Sequence, residues 1–302
     1  MQSENSSFSW QVKSEICKTF PTQKCCAVAE CYGILLFCNT FSSEQIRIVT
    51  EHSDFAQRLP KLFRRSFNLE FDERPTEEPE NGKYTFVLAQ KDKIRAIFTE
   101  FGLSVHENVT LHLNRGVLED DCCYFAFIRG ALLAGGSVID PEKRYHLELS
   151  TTHRKICSET YSVLLDMGFM PKEIAHNGSY VLYFKQSNQI EDFLTAVDAP
   201  ICAMKIMEAK IEKQMRNQVN RLCNCDDANT DKVVEAAQRQ IAAIETLQAS
   251  GRFDTLPAKL QEVALLRLQQ PEAALLELAE RLNLTKSAIN HRMRKIMELS
   301  KQ

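Results

Sequence analysis

The stretch "LTKSAINHRMRKIMEL", residues 284 to 299, sets Ser287, Asn290, His291 and Arg294 on one side of a helix if its apolar residues Ile289, Met293 and Ile296 face inward. An amide at Asn290 suits the paired donor and acceptor of an adenine edge, and a guanidinium at Arg294 suits a guanine edge. Lys286, Arg292 and Lys295 flank that side and suit phosphates. Thr285 is placed to cap the helix, because its hydroxyl can accept from an unpaired N–H of the first turn. Residues 284 to 302 hold five basic residues against one acid. The bland alternative is a solvated, basic amphipathic helix.

Further upstream, Arg216, Asn217, Asn220, Arg221 and Asn224 recur at helical spacing within "EAKIEKQMRNQVNRLCNCDDAN". Such amides and guanidinium groups could grip a phosphate backbone or cross-link two domains through hydrogen bonds. A solvated face is the ordinary reading of a polar stripe.

A third segment, "FIRGALLAGGSV" (127 to 138), reads as a helix ending on glycines and running directly into a strand. Gly130, Ala134, Gly135 and Gly136 permit close approach of a partner helix. "CCAVAECYGILLF", from Cys25, offers Ala27, Ala29 and Gly33 in the same way. Two such helices packed about a pseudo-twofold axis resemble the LAGLIDADG homing endonuclease domain, which implies a metal-holding carboxylate near the end of each motif. Aligned on Gly33 and Gly130, those positions fall on Cys38 and Gly135, and neither can ligate a divalent metal as a carboxylate would. Asp120, Asp121 and Glu30 lie at the wrong end of their helices to replace them. No metal and no cofactor are therefore expected.

The elements that position these residues come from a repeat. "KYTFVLAQKDKIRAIF" (83 to 98) matches "SYVLYFKQSNQIEDFL" (179 to 194) at an offset of 96, and the two glycine-bearing helices match at nearly the same offset. Each unit reads helix, strand pair, helix, strand pair, helix, with middle helices near 54 to 66 and 153 to 167 and closing helices near 91 to 101 and 187 to 197. The expectation is an α+β fold: a duplicated α/β/β/α/β/β/α domain with antiparallel sheets and helices on one face, leaving a saddle open on the other. The repeats span 1–105 and 106–210. A helical linker, 211–255, leads to an all-α domain, 256–302, in which Pro257 and Pro271 each open a helix and Leu275, Leu278, Ala279 and Leu282 pack against Ile289, Met293 and Ile296. That is a helix-turn-helix layout.

Composition narrows the classes. The chain has 302 residues, 44% apolar and 25% charged, enough for two or three domains. No apolar run reaches the roughly 20 residues that cross a bilayer, and the start lacks a signal-peptide layout, so a cytoplasmic, nucleoid-associated protein is expected. The net charge of −3 hides an asymmetry: residues 256 to 302 carry eight basic and five acidic residues, and the preceding 255 carry 29 and 35. DNA contact should concentrate at the C-terminus. The eleven cysteines include no C-x-x-C pair, and Cys25, Cys26, Cys31, Cys122 and Cys123 read as reduced core residues in apolar helices. Cys223 and Cys225 form a lone C-x-C without a second pair at zinc spacing. No nucleophile arrangement and no phosphate-binding glycine loop are recognisable, so no enzyme activity and no small-molecule substrate are expected.

Taken together, "RGALLAGGSV" followed by "DPEKRYHLEL", the stretch "RNQVNRLCNCDDAN" and the terminal helix-turn-helix resemble the WhiA family of bacterial sporulation and cell-division transcription regulators, over nearly the whole chain. The resemblance implies a sequence-specific regulator of double-stranded DNA with an inactive endonuclease-like N-terminal domain. Two alternatives stand beside it. One is a metal-dependent nuclease. The other is a cell-division scaffold with a protein partner on the N-terminal saddle and only non-specific DNA binding, motivated by the acidic loop "FDERPTEEPENG" (71 to 82), which would repel phosphate.

Overall fold

A computed structural model describes residues 6–75, 81–104, 111–176 and 178–301, the side chains of 225–228 excepted. The chain divides into two compact units, Met1–Lys213 and Gln214–Gln302.

In the first unit the N-terminal half runs α1 (Phe8–Lys18), α2 (Lys24–Phe37), β1 (Thr40–Phe41), β2 (Ile46–Thr50), α3 (Ser53–Phe67), β3 (Tyr84–Leu88) and α4 (Lys91–Glu100). The second half repeats the plan as α5 (Asp121–Gly135), β4 (Gly136–Val138), β5 (Leu147–Thr151), α6 (Arg154–Asp166), β6 (Lys172–His176), β7 (Ser179–Phe184) and α7 (Ser187–Ala196). All strand pairings are antiparallel, in the orders β1-β2-β3 and β4-β5-β7-β6. The duplicated α+β architecture is as the pattern predicts.

Two details differ from that pattern. Helix α1 lies within 1–105 as an element additional to the expected helix, strand pair, helix, strand pair, helix plan. Among the described residues the first sheet has three strands, and what pairs with the outer side of β3 is a single bridge, Glu73 to Val87. Residues 76–80 of the acidic loop lie outside the described residues. Its Asp72 accepts from the Ala89 and Gln90 N–H groups (2.7 and 2.9 Å), so this acid serves the start of α4.

One face of each sheet is buried, because alternate residues of a strand point the same way: Leu147 and Leu149 of β5, Leu182 and Phe184 of β7, Ile46 and Ile48 of β2 and Phe86 and Leu88 of β3 all lie in the core. Helices α2 and α5 are apolar nearly all round and run through its centre. Gly33 and Gly130 make their crossing possible. A Cβ on Gly33 would sit 2.0 Å from the Phe127 carbonyl oxygen, and one on Gly130 would sit 2.1 Å from that of Glu30. Only hydrogen fits at either place.

Helix α8 (Pro200–Ala249) is continuous, and the division between the two units falls within it. In the first unit its N-terminus is capped by the buried Glu15 of α1, whose carboxylate accepts from the Ile201 and Cys202 N–H groups at 2.7 and 2.9 Å. The second unit contains the rest of α8 with α9 (Ala258–Gln269), α10 (Leu275–Arg281) and α11 (Lys286–Leu299). Its core joins Ile244 and Leu247 of α8 to Leu260, Val263, Leu278, Ala279, Ile289, Met293 and Ile296.

Candidate nucleic-acid interface

Helix α11 presents the side that its spacing predicts. Ile289, Met293 and Ile296 are 1% exposed or less, and burying three such side chains contributes roughly 1.5 to 3 kcal/mol each to holding the helix in place. Thr285 caps it, its Oγ1 accepting from the Ala288 N–H at 3.2 Å. Asn283 closes the preceding turn in the left-handed region (φ 48°), a conformation that asparagine tolerates. With inner face and entry angle fixed, Thr285, Lys286, Ser287, Asn290, His291, Arg294 and Lys295 are exposed, and Arg292 is half-buried at the margin.

Two of these groups are engaged within the helix. The Asn290 amide donates to the Lys286 carbonyl at 2.8 Å, so a contact to a base would exchange that bond for another. Lys295 lies 3.5 Å from Glu298, an exposed pair worth little in water. Arg294 has no such tether among the described contacts.

The turn before α10 corrects the expected role of Pro271. That residue sits in a turn, and α10 begins only at Leu275. The cause is Arg267, 1% exposed on α9, whose guanidinium donates to the Gln270 and Ala273 carbonyls at 3.3 and 2.6 Å. Burial lowers its pKa below the ordinary arginine value. It ties the α9–α10 turn from inside. Sequence reading missed it, since one arginine in a leucine-rich helix looks like a surface residue.

On α8, Arg216, Asn217, Asn220, Arg221 and Asn224 are all exposed. No hydrogen bond involving their side chains is found among the described residues.

In the first unit the degenerate acid positions have no place for carboxylates. A Cβ on Gly135 would lie 2.5 Å from the Ser150 carbonyl oxygen and 3.1 Å from Phe37, leaving no room for an aspartate. The Cys38 thiol donates to the Leu35 and Thr40 carbonyls (3.2 and 3.3 Å), and burial pushes its pKa up to about 12, so it stays neutral. The carbonyl end of α5 is taken by Lys13 of α1, whose ammonium donates to the Leu133 carbonyl at 3.1 Å. A cation, a neutral thiol and a glycine do not fit a divalent metal pair.

Glu30 also needs correction. It lies in the middle of α2, not at an end, and is fully buried with its carboxylate against Arg58 (2.6 and 2.8 Å) and Arg129 (3.4 Å). Arg129 in turn meets Asp198 at 2.5 Å. Glu30 is committed to charge pairing inside the core.

The cysteines are likewise not all core residues. Cys31 and Cys123 are buried, but Cys25 and Cys26 are half-buried and Cys122 is exposed, because they occupy first turns of helices and not their middles. The sulfurs of Cys25, Cys26, Cys122 and Cys123 lie within 4.8 Å of one another. The signal was present as two Cys-Cys pairs at an offset of 97, in equivalent helices.

Residues 124–216 match the family model described as the WhiA LAGLIDADG-like domain, and residues 219–300 match that of the WhiA C-terminal HTH domain. A curated relative from Ruminiclostridium cellulolyticum, "Probable cell division protein WhiA", is 38% identical over 306 residues, covering 98% of this chain and 97% of the relative. The chain belongs to the WhiA family. A relative of the same name from Clostridium novyi is 36% identical over 98% of both chains. Among solved structures, full-length WhiA from Thermatoga maritima aligns with a TM-score of 0.60 at 25% identity, covering 98% of each chain. No helix of the described residues is long and apolar enough to cross a membrane.

Proposed function

We propose that this member of the WhiA family is a sequence-specific, double-stranded-DNA-binding regulator in cell division that acts at the nucleoid, with α11 as its reading helix. The observation that carries this is the outward side of α11, where Ser287, Asn290, His291 and Arg294 stand exposed between basic residues on a helix fixed by its cap and core. Arg294 pairs with a guanine edge and Asn290 with an adenine edge, while Lys286, Arg292 and Lys295 hold phosphates. Residues 256–302 thus read the site. Arg216, Asn217, Asn220, Arg221 and Asn224, exposed on α8, add contacts to the phosphate backbone. The N-terminal unit is a non-catalytic partner to this reader. Supporting that part, the positions where cleavage chemistry would need carboxylates hold Cys38 and Gly135, with Lys13 on the carbonyl end of α5.

The test is selection of duplexes from a randomised library by the full chain, followed by affinity measurements across salt concentrations. A consensus should emerge. Arg294→Ala should weaken binding to it by about 1 to 3 kcal/mol and relax one base preference, whereas Lys286→Ala should weaken all sequences alike and flatten the salt dependence. Unchanged affinity and selectivity in Arg294→Ala would refute α11 as the reader. No consensus from the full chain would favour a scaffold role for the N-terminal unit.

A further inference from the structure

Helices α2 and α5 begin alike. After the cap residue Gln23 the second and third residues of α2 are Cys25 and Cys26, and after Asp120 those of α5 are Cys122 and Cys123. The glycine crossing brings the two first turns together, and all four sulfurs come within 4.8 Å of one another. From these observations we propose that Cys25, Cys26, Cys122 and Cys123 form a tetrathiolate site for one zinc-class divalent cation, placed on the pseudo-twofold axis and joining the two repeats.

The spacing selects the ligand class. Four thiolates at the Zn–S distance of about 2.3 Å, in a tetrahedron, have sulfurs roughly 3.8 Å apart, so a small inward rotation of the side chains closes the observed group on one ion. Clusters of two or four irons need a wider cage, because irons and sulfides lie between the thiolates. Symmetry agrees as well. Two ligand pairs exchanged by a twofold axis through the ion are compatible with a tetrahedral centre, and soft thiolate donors favour zinc over hard cations.

The surroundings suit thiolates. All four sulfurs belong to first turns, at the positive ends of two helix dipoles, with the exposed Lys24 beside Cys25 and the exposed Asp120 and Asp121 beside Cys122. The thiolate and not the thiol binds the ion, so any thiol proton is released to solvent as its S–Zn bond forms and uptake strengthens with rising pH.

Gln23 adds an outer partner. Its Oε1 accepts from Cys25 and Cys122 at 3.5 Å and from Cys26 at 3.8 Å. With the amide turned over, its NH2 would donate to the thiolates. Cys122 is exposed, which gives the ion a way in.

The experiment uses the full chain, purified under reducing conditions without a metal-affinity step. Elemental analysis should find one zinc per chain, and cobalt exchanged into the chain should show the charge-transfer and visible bands of a tetrahedral tetrathiolate. Cys122→Ser should lose those bands and weaken zinc retention at least about tenfold, whereas Cys223→Ser should retain both. Should Cys122→Ser fail to fold, thiol alkylation of the native wild-type chain decides: zinc should protect Cys25, Cys26, Cys122 and Cys123 but not Cys223. A chain that takes up neither zinc nor cobalt with its thiols reduced overturns the proposal. So do disulfides among these four in the reduced preparation, iron and sulfide in place of zinc, and tetrathiolate bands unchanged in Cys122→Ser.

Discussion

At the crossing of α2 and α5, residues 97 apart occupy matching places: Gly33 faces Phe127 and Ala131, and Gly130 faces Glu30 and Ile34. Within one turn the two halves part company. Glu30 stands where the second repeat has Phe127, and Tyr32 where it has Arg129, which pairs with Asp198 as well as with Glu30. At the end of α4 the chain turns on Gly102 (φ 63°), and at the end of α7 it makes the same left-handed turn on Asp198 (φ 65°). The Asn114 amide lies 2.7 Å from where a Gly102 Cβ would be, so the first repeat leaves a side chain no room there. The second repeat instead uses that side chain to hold Arg129. Backbone geometry survives in both copies, while charged residues couple one copy to the other.

The largest expected effect tests what the halves share. Gly33→Ala and Gly130→Ala each drive a methyl into a backbone carbonyl at about 2 Å, which can be relieved only by moving a helix. Each should cost more than about 4 kcal/mol and abolish soluble expression or collapse the urea midpoint. The two should be equally severe. A tolerated alanine at one position would mean that the crossing is looser in that half.

Next comes a test of what the halves do not share. Glu30→Gln leaves Arg58 and Arg129 buried without their common carboxylate, a loss of about 3 to 5 kcal/mol. Its mate Phe127→Leu removes only part of an apolar ring and should cost about 1 to 2 kcal/mol. Urea unfolding of both variants measures the difference. Equal losses would show that the charge network contributes no more than packing does.

The shared skeleton was legible in the sequence because it is written in local pattern. Small residues at helical spacing predicted the close crossing, and "KYTFVLAQ" against "SYVLYFKQ" predicted equivalent strands. The outer side of α11 was legible for the same reason, being the complement of Ile289, Met293 and Ile296. What stayed hidden depends on contacts between distant residues. Glu30 meets Arg58 across 28 positions and Arg129 across 99, and nothing in "VAECYG" reveals that one acid in an apolar run is paired. Arg267 binds carbonyls, which carry no residue identity. The four cysteines are not legible as a group because no one segment has metal-ligand spacing, and the fold assembles them from two segments 97 residues apart.

The smallest effect concerns two histidines that begin equivalent helices. His52 precedes α3 and His153 precedes α6, each with its N–H donating to a threonine hydroxyl two residues back, Thr50 or Thr151. Burial lowers the pKa of both below the ordinary imidazole value. His52 is further constrained: its Nδ1 accepts from the Phe55 N–H at 3.3 Å and its Nε2 lies 3.0 Å from the Trp10 carbonyl, which fits a neutral ring protonated on Nε2. A depressed folded-state value means that the unfolded chain takes up protons first as pH falls. The stability that neutral His52 provides is therefore complete above about pH 6.5 and lost progressively below it. His52→Asn keeps a capping acceptor and removes the titration. Its urea midpoint should depend less on pH than that of the wild type between about pH 6.5 and 5, and His153→Asn, which loses no side-chain cap bond, should differ from the wild type less at neutral pH. Parallel pH profiles for wild type and His52→Asn would place the acid sensitivity elsewhere and remove this last distinction between the halves.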